Sequence, residues 1–227
     1  MNKGKKTVLI TGTSQGIGLA IAKKLLDEGF FVIGTSRSGI IEQLSHENLA
    51  VLKLDVTDNA GIERAHQEVF AAYDQIDILI NNAGIGPDLG TERPEINSFA
   101  QTFETNLFGL VFFTEPLLDL IPNNGQVLNI SSKMGSIEMC GNANALAYRM
   151  SKSALNMYTK ILANRLEEKN IKVVSIHPGW VRTNIAQGNE LAPLSPDESA
   201  EGIYQLMNKP IQTGSFWNVE TLSEIPW

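Results

Sequence analysis

Tyr148 and Lys152 stand four positions apart in the run Tyr148-Arg149-Met150-Ser151-Lys152, a spacing that puts both side chains on one face of a helix. An ammonium beside a phenol favours the phenolate, which lowers the tyrosine pKa toward the working pH and makes it a competent proton donor or acceptor. Ser131 and Ser132 end an apolar run and offer hydroxyls to the same centre. Tyr-x-x-x-Lys alone is a weak signal, since a surface helix with no function can carry it.

A second group of residues has the chemistry of nucleotide binding. The stretch Thr11-Gly12-Thr13-Ser14-Gln15-Gly16-Ile17-Gly18 follows an apolar run and opens a helical pattern. Glycines there let backbone approach a pyrophosphate, and a helix N-terminus offers N–H groups and positive potential to phosphate. The spacing is not Gly-x-Gly-x-x-Gly, and a tight structural turn would use the same residues. The strand before it and the helix after it favour the dinucleotide.

An acidic residue for the adenosine ribose of NAD(H) is absent after the second apolar run; Thr35-Ser36-Arg37-Ser38 offers a guanidinium and hydroxyls instead. Those groups suit a 2′-phosphate, so NADP(H) is favoured over NAD(H). Asp55-Val56 closes the third run, where the carboxylate could accept from an adenine amino group or could only help start the next helix. Asn81-Asn82-Ala83-Gly84 closes the fourth, with amides able to tie neighbouring strands and small residues able to lie against a ribose.

Positioning these groups requires a particular kind of scaffold. Apolar runs recur at Thr7–Thr11, Phe31–Thr35, Ala50–Leu54, Asp77–Ile80, Gln126–Ile130 and Lys172–Ile176. They are apolar at nearly every position, the pattern of strands buried on both faces. Helical segments around 16–28, 59–73, 96–121, 148–168 and 197–208 alternate with them. The last has Ser195 as N-cap, Pro196 at the first helical position and Glu198 to complete a capping box. The fold class predicted is α/β: a single-domain, Rossmann-type, doubly wound parallel sheet with helices on both faces, its ligand at the carboxyl ends of the strands.

Composition agrees and excludes alternatives. A chain of 227 residues, 43% hydrophobic and 19% charged, has enough apolar material for one α/β core and too little length for two full domains. A formal net charge of -7 without a basic stripe argues against nucleic acid. Lys3, Lys5 and Lys6 precede Val8-Leu9-Ile10, but Thr11-Gly12 ends that apolar stretch too soon for a signal core or a membrane span, so a cytoplasmic protein is expected. The single Cys140 fits a reducing compartment. His46, His66 and His177 lack metal-ligand spacing, so no metal is expected.

Taken in order, Thr11-Gly12-x-x-x-Gly16-Ile17-Gly18, Asp55-Val56, Asn81-Asn82-Ala83-Gly84, Asn106, Ser132, Tyr148-x-x-x-Lys152 and Pro178-Gly179 followed by Thr183 resemble the short-chain dehydrogenase/reductase family over essentially the whole chain. Within it, the sequence from Ala147 to Asn156, His177-Pro178-Gly179-Trp180-Val181 and the terminal Pro226-Trp227 look most like sniffer-type carbonyl reductases and C-factor proteins. The resemblance implies a catalytic set in which Tyr148 donates a proton to a carbonyl oxygen as hydride arrives, and Ser132 hydrogen-bonds that oxygen. Lys152 would bind the nicotinamide ribose and lower the Tyr148 pKa, and Asn106 would hold a relay water. Gly12, Ser14, Gln15, Gly16, Ile17, Gly18, Arg37, Asp55, Val56, Asn82, Ala83 and Gly84 would contact the cofactor. Pro178, Gly179, Val181 and Thr183 would line its nicotinamide.

The sequence departs from the family pattern in two places. Ser132 lies sixteen residues before Tyr148, a long interval that leaves Ser131 as a neighbouring alternative, and the stretch from Thr183 to Ser195 is short for a substrate lid, which implies an open site. The leading expectation is an NADPH-dependent reductase of small, apolar aldehydes or ketones. A nucleotide-binding signalling or sensor protein and an NAD-linked alcohol dehydrogenase are the competing readings. The family implies a homodimer or homotetramer; Leu107, Phe108, Leu110, Val111, Phe112 and Phe113 would serve either that interface or a buried central helix. Cys140, flanked by Met134 and Met139, is read either as a pocket wall or as an inert buried thiol.

Overall fold

The computed structural model describes residues 4–227, and Lys3 of the basic run lies outside the described residues. Strands β1 (Thr7–Ile10), β2 (Phe31–Ser36), β3 (Leu49–Lys53), β4 (Ile78–Asn81), β5 (Gln126–Ile130) and β6 (Lys172–His177) fall within a residue or two of the apolar runs. They pair in parallel in the order β3-β2-β1-β4-β5-β6, so the order reverses beside β1, where an open α/β sheet leaves its ligand crevice. Two strands without a clear sequence signal, β7 (Ser215–Asn218) and β8 (Ser223–Glu224), continue the sheet beyond β6. β8 runs antiparallel to β7, so the sheet is mostly rather than wholly parallel.

Among the described residues six α-helices flank the sheet: α1 (Gly16–Asp27), α2 (Asn59–Ala72), α3 (Ile96–Phe103), α4 (Leu110–Leu117), α5 (Leu146–Arg165) and α6 (Pro196–Asn208). The runs are apolar at successive positions because both faces of each strand are covered. Val8 and Ile10 pack in the core with α1 and α6, whereas Leu9 between them packs in the core with α2, α4 and α5. The edge strand β3 is the exception, with Val51 and Lys53 exposed. The capping box that begins α6 forms as expected: Ser195 Oγ accepts from Glu198 N–H at 3.2 Å and the Glu198 carboxylate accepts from Ser195 N–H at 2.7 Å. No helix among the described residues is long and apolar enough to cross a membrane.

The helix expected over 96–121 is not continuous. A π-helical turn, Glu104–Gly109, separates α3 from α4, and a 3-10 turn, Leu118–Leu120, follows. Gly109 explains the local path, because a Cβ there would lie 2.0 Å from the Val56 carbonyl oxygen; only glycine lets this helix touch the end of β3. Wide turns of this kind recur at functional sites, and this one carries Asn106. The apolar residues around it divide: Leu110 and Phe113 are buried, whereas Phe108 and Phe112 are 51% and 63% exposed.

Candidate active site

The glycine-rich turn joins β1 to α1. Gly12 and Gly16 take φ of +73° and +59° there, the left-handed region in which L side chains are strained. Gly18 is excluded from bearing a side chain by contact, since its Cβ would sit 2.2 Å from Gly12 O and 2.4 Å from Asn82 Nδ2. That amide nitrogen donates to Thr11 O at 2.9 Å and Gly12 O at 3.1 Å, while Thr11 Oγ1 accepts from the Asn82 and Ala83 amides. Asn82 thus locks the turn to the end of β4. Gln15, the N-cap residue, makes no side-chain cap, the first turn of α1 has no acidic residue, and Ser14 and Gln15 face solvent. The N-terminal amides of α1 therefore suit an anion. Ile17 packs on the α1/α6 core.

At the end of β2, Ser36 is buried with its hydroxyl donating to Ile40 O at 2.8 Å, which leaves Arg37 as the exposed cation beside the crevice. Arg37 contributes to holding the Asp55 carboxyl below its usual range, although burial opposes it and Thr57 does more. Asp55 Oδ1 accepts from Thr57 N–H at 3.0 Å and Thr57 Oγ1 at 2.7 Å, so one carboxylate oxygen shapes the turn into α2. Val56 follows, buried, with its carbonyl against Gly109.

On the far side of the crevice, Pro178 O accepts from Ser199 Oγ at 2.7 Å, Gly179 has φ +86°, and buried Val181 pairs with Leu194. Thr183 then approaches the glycine-rich turn, its Cγ2 3.4 Å from where a Gly16 Cβ would be. The glycine-rich turn and the loop after β6 therefore meet. Residues Arg182, Thr183, Asn184, Ala186, Gln187 and Glu190 line an open cavity of about 500 Å³ along this short segment.

Between these loops stand Ser132, Tyr148, Lys152 and Asn106, all buried. The first turn of α5 carries Tyr148 and the second Lys152, whose ammonium lies 5.7 Å from the centre of the Tyr148 ring and donates to Ile130 O at 2.9 Å. Ser132, just after β5, lies beside the Tyr148 phenol, its Oγ accepting from Met134 N–H at 3.2 Å. Ser131 turns the other way, donating to Asn156 Oδ1 at 2.7 Å beneath α5. A methyl group on Gly84 would lie 3.3 Å from Asn106 Oδ1 and 3.6 Å from Lys152 Nζ, which shows how closely the end of β4, the π turn and α5 converge. The Asn106 side chain is engaged with protein: its oxygen accepts from Ile85 N–H at 2.8 Å and its nitrogen donates to Ile85 O and Ser151 Oγ.

The electrostatics reverse one expectation. Tyr148 is pushed up to about 12, chiefly by burial; the neighbouring Ser132 hydroxyl pulls the other way, and the Asp88 carboxylate adds a smaller push. Burial dominates at Tyr148, and it also lowers Lys152 to about 8. Tyr148 is therefore protonated at neutral pH, a donor rather than a base. His177, at the end of β6, is held neutral by burial and by the charge of Lys133, down to about 3. Its 3.8 Å approach to Glu220 is accordingly no ion pair, and neither ring nitrogen has a hydrogen-bond partner.

Sequence reasoning missed Asp88. The dipeptide Pro87-Asp88 reads locally as a turn, and its carboxylate reaches across the fold to Ala147 and Tyr148 N–H. The only hint was Ala145, a residue with no capping side chain at the start of α5. Cys140 is exposed, which removes the buried-thiol reading.

Comparison with known proteins agrees with this geometry. The profile of the short chain dehydrogenase family matches residues 6–192. The NADPH-bound carbonyl reductase from chicken fatty liver is similar in structure with a TM-score of 0.88 at 28% identity, covering 98% of this chain and 99% of that one. The carbonyl reductase Sniffer of D. melanogaster gives 0.87 at 28% identity over 98% and 100%. The 3-oxoacyl-acyl-carrier-protein reductase of Escherichia coli is 32% identical over 206 residues, 88% of this chain and 81% of its own length. With the glycine-rich turn and the Ser132, Tyr148 and Lys152 constellation arranged on this sheet, the chain belongs to the short-chain dehydrogenase/reductase family and is an oxidoreductase.

Proposed function

We propose that the protein is an NADPH-dependent carbonyl reductase of small, apolar aldehydes or ketones. The observation that carries this reading is the state of Tyr148: a buried phenol that keeps its proton at neutral pH beside the Ser132 hydroxyl. A phenol that holds its proton at neutral pH is in the form that carbonyl reduction requires of its proton donor, whereas alcohol oxidation requires the phenolate. The uncapped start of α1, the room left by Gly18 and the Arg37 guanidinium fit a dinucleotide with a 2′-phosphate. When bound, the nicotinamide supplies the hydride.

The chain's own residues do the rest. Ser132 and Tyr148 aim their hydroxyls at the substrate oxygen, stabilising the negative charge that develops there. Tyr148 then gives up its proton. Lys152, held by Ile130 O, places a cation next to the phenolate that forms and would hold the nicotinamide ribose. Asn106 fixes Ile85 and Ser151 around Lys152 and thereby positions the ammonium. Exposed Ile137 and Met139 in the loop after Ser132, with Trp180 and Leu191 beyond β6, support an apolar substrate.

The homo-oligomer belongs to the same reading. Phe108 in the π-helical turn, Phe112 on α4, and Met157 and Ile161 on α5 are large apolar side chains left exposed, as an interface between copies would use them. Sedimentation velocity checks it, and a monomer at micromolar concentration would contradict it. The activity is tested by following NADPH oxidation optically against a panel of aldehydes, diketones and quinones. Turnover with apolar members supports a reductase. NADPH binding without turnover on any of them favours a nucleotide sensor instead.

A further inference from the structure

The start of α5 lacks a cap of its own. Ala145 occupies the N-cap position with φ +56° and has no side chain that could accept a hydrogen bond, so the first N–H groups of the helix need a partner from elsewhere. The loop after β4 provides it. Asp88, 1% exposed, accepts from Ala147 N–H at 2.7 Å through Oδ2, and both its oxygens lie 3.2 Å from Tyr148 N. Two residues of the same loop complete the clamp: Thr91 O accepts from Ala145 N–H at 2.8 Å, and a Cβ on Gly86 would be 3.2 Å from Tyr148 Cδ2.

We propose that Asp88 is a positioning residue for the reaction, its buried carboxylate both fixing the first turn of α5 and retaining the proton on Tyr148 until the substrate takes it. This rests on the reading of Tyr148 as the proton donor. A carboxylate at a helix N-terminus interacts favourably with the helix dipole and with the amides it accepts from. That negative charge opposes formation of a phenolate on the residue whose N–H it holds. The other groups around Tyr148 do not duplicate it. Ser132 favours the phenolate, Lys152 is a cation 5.7 Å from the ring, Arg149 turns its guanidinium to Asn144, and α3 has no charged residue.

The test compares pH profiles of NADPH-dependent reduction for the wild type, Asp88→Asn and Asp88→Ser, together with thermal unfolding. Both variants keep an oxygen able to accept from the helix while removing the charge. Activity is lost on the alkaline side in two steps, as Lys152 and then Tyr148 give up their protons, and the later, Tyr148 step is expected to move down by about 0.5–1 pH unit in each. Asp88→Ala, which also removes the acceptor, should in addition lower the melting temperature and reduce kcat at neutral pH. If both uncharged variants keep the wild-type alkaline limb, Asp88 is a structural cap and the proposal fails. If instead Tyr148→Phe retains the wild-type rate, it is the assignment of Tyr148 that fails, whatever Asp88 does.

Discussion

Replacing Arg37 should change which dinucleotide this protein prefers. The guanidinium follows buried Ser36 at the end of β2 and is the cation that the crevice presents where an NAD-binding chain would offer an acid. A hydrogen bond to a charged group contributes about 1.5–3 kcal/mol, roughly 10- to 150-fold in affinity. Because Arg37 is exposed, solvent screens it, and the lower end, about tenfold for NADPH over NADH, is the value expected. Asp55 feels the same cation, so part of the field is already committed within the protein. Titration of both cofactors, at low and at physiological salt, measures the preference. In Arg37→Ala it should shrink to near unity, in Arg37→Asp it should invert, and the wild-type ratio should fall as salt rises. Equal wild-type affinities, or an Arg37→Ala variant that weakens NADPH and NADH alike, would refute the reasoning.

Two further outcomes follow from the geometry. Gly18→Ala drives a methyl group into the Gly12 carbonyl and the Asn82 amide, so unfolding stability should drop by about 1–3 kcal/mol and NADPH affinity with it; an unchanged dissociation constant would show that the turn does not meet the cofactor. His177 is neutral when folded, with a pKa of about 3 against an ordinary 6.5. The unfolded chain therefore binds the proton first, so stability is complete above pH about 6.5 and is lost as pH falls toward 3, with a slope of up to about 1.4 kcal/mol per pH unit. Denaturant unfolding across that range reads the slope, and His177→Asn should flatten it; a variant with the wild-type slope would contradict the assignment.

Much of the fold was legible because its signals are local. Six strands announce themselves as continuous apolar runs, since helices cover both faces of the sheet, and Ser195, Pro196 and Glu198 mark the start of α6 within four residues. The glycine-rich turn and the Tyr148–Lys152 pair were equally readable, as each is a spacing on a single element. What escaped depends on distant partners. β8 is two polar residues held by Trp217 and Asn218 of the neighbouring strand, and no propensity reveals it. The π turn arises where Gly109 meets Val56, more than fifty residues away. The acid strength of Tyr148 was expected to follow its cation four residues along. Complete burial and a carboxylate sixty residues earlier decide it instead.

Proton donation by Tyr148 is the centre of the account, and one substitution reaches it with little other disturbance. Tyr148→Phe removes a hydroxyl and keeps the ring that packs against Gly86. The most direct measurement is the single-turnover rate of carbonyl reduction by the NADPH-saturated variant, paired with its NADPH dissociation constant. The account predicts a rate at least about two orders of magnitude below wild type, the low end for general acid catalysis, with cofactor affinity nearly unchanged. A variant that reduces its substrate at close to the wild-type rate would contradict it.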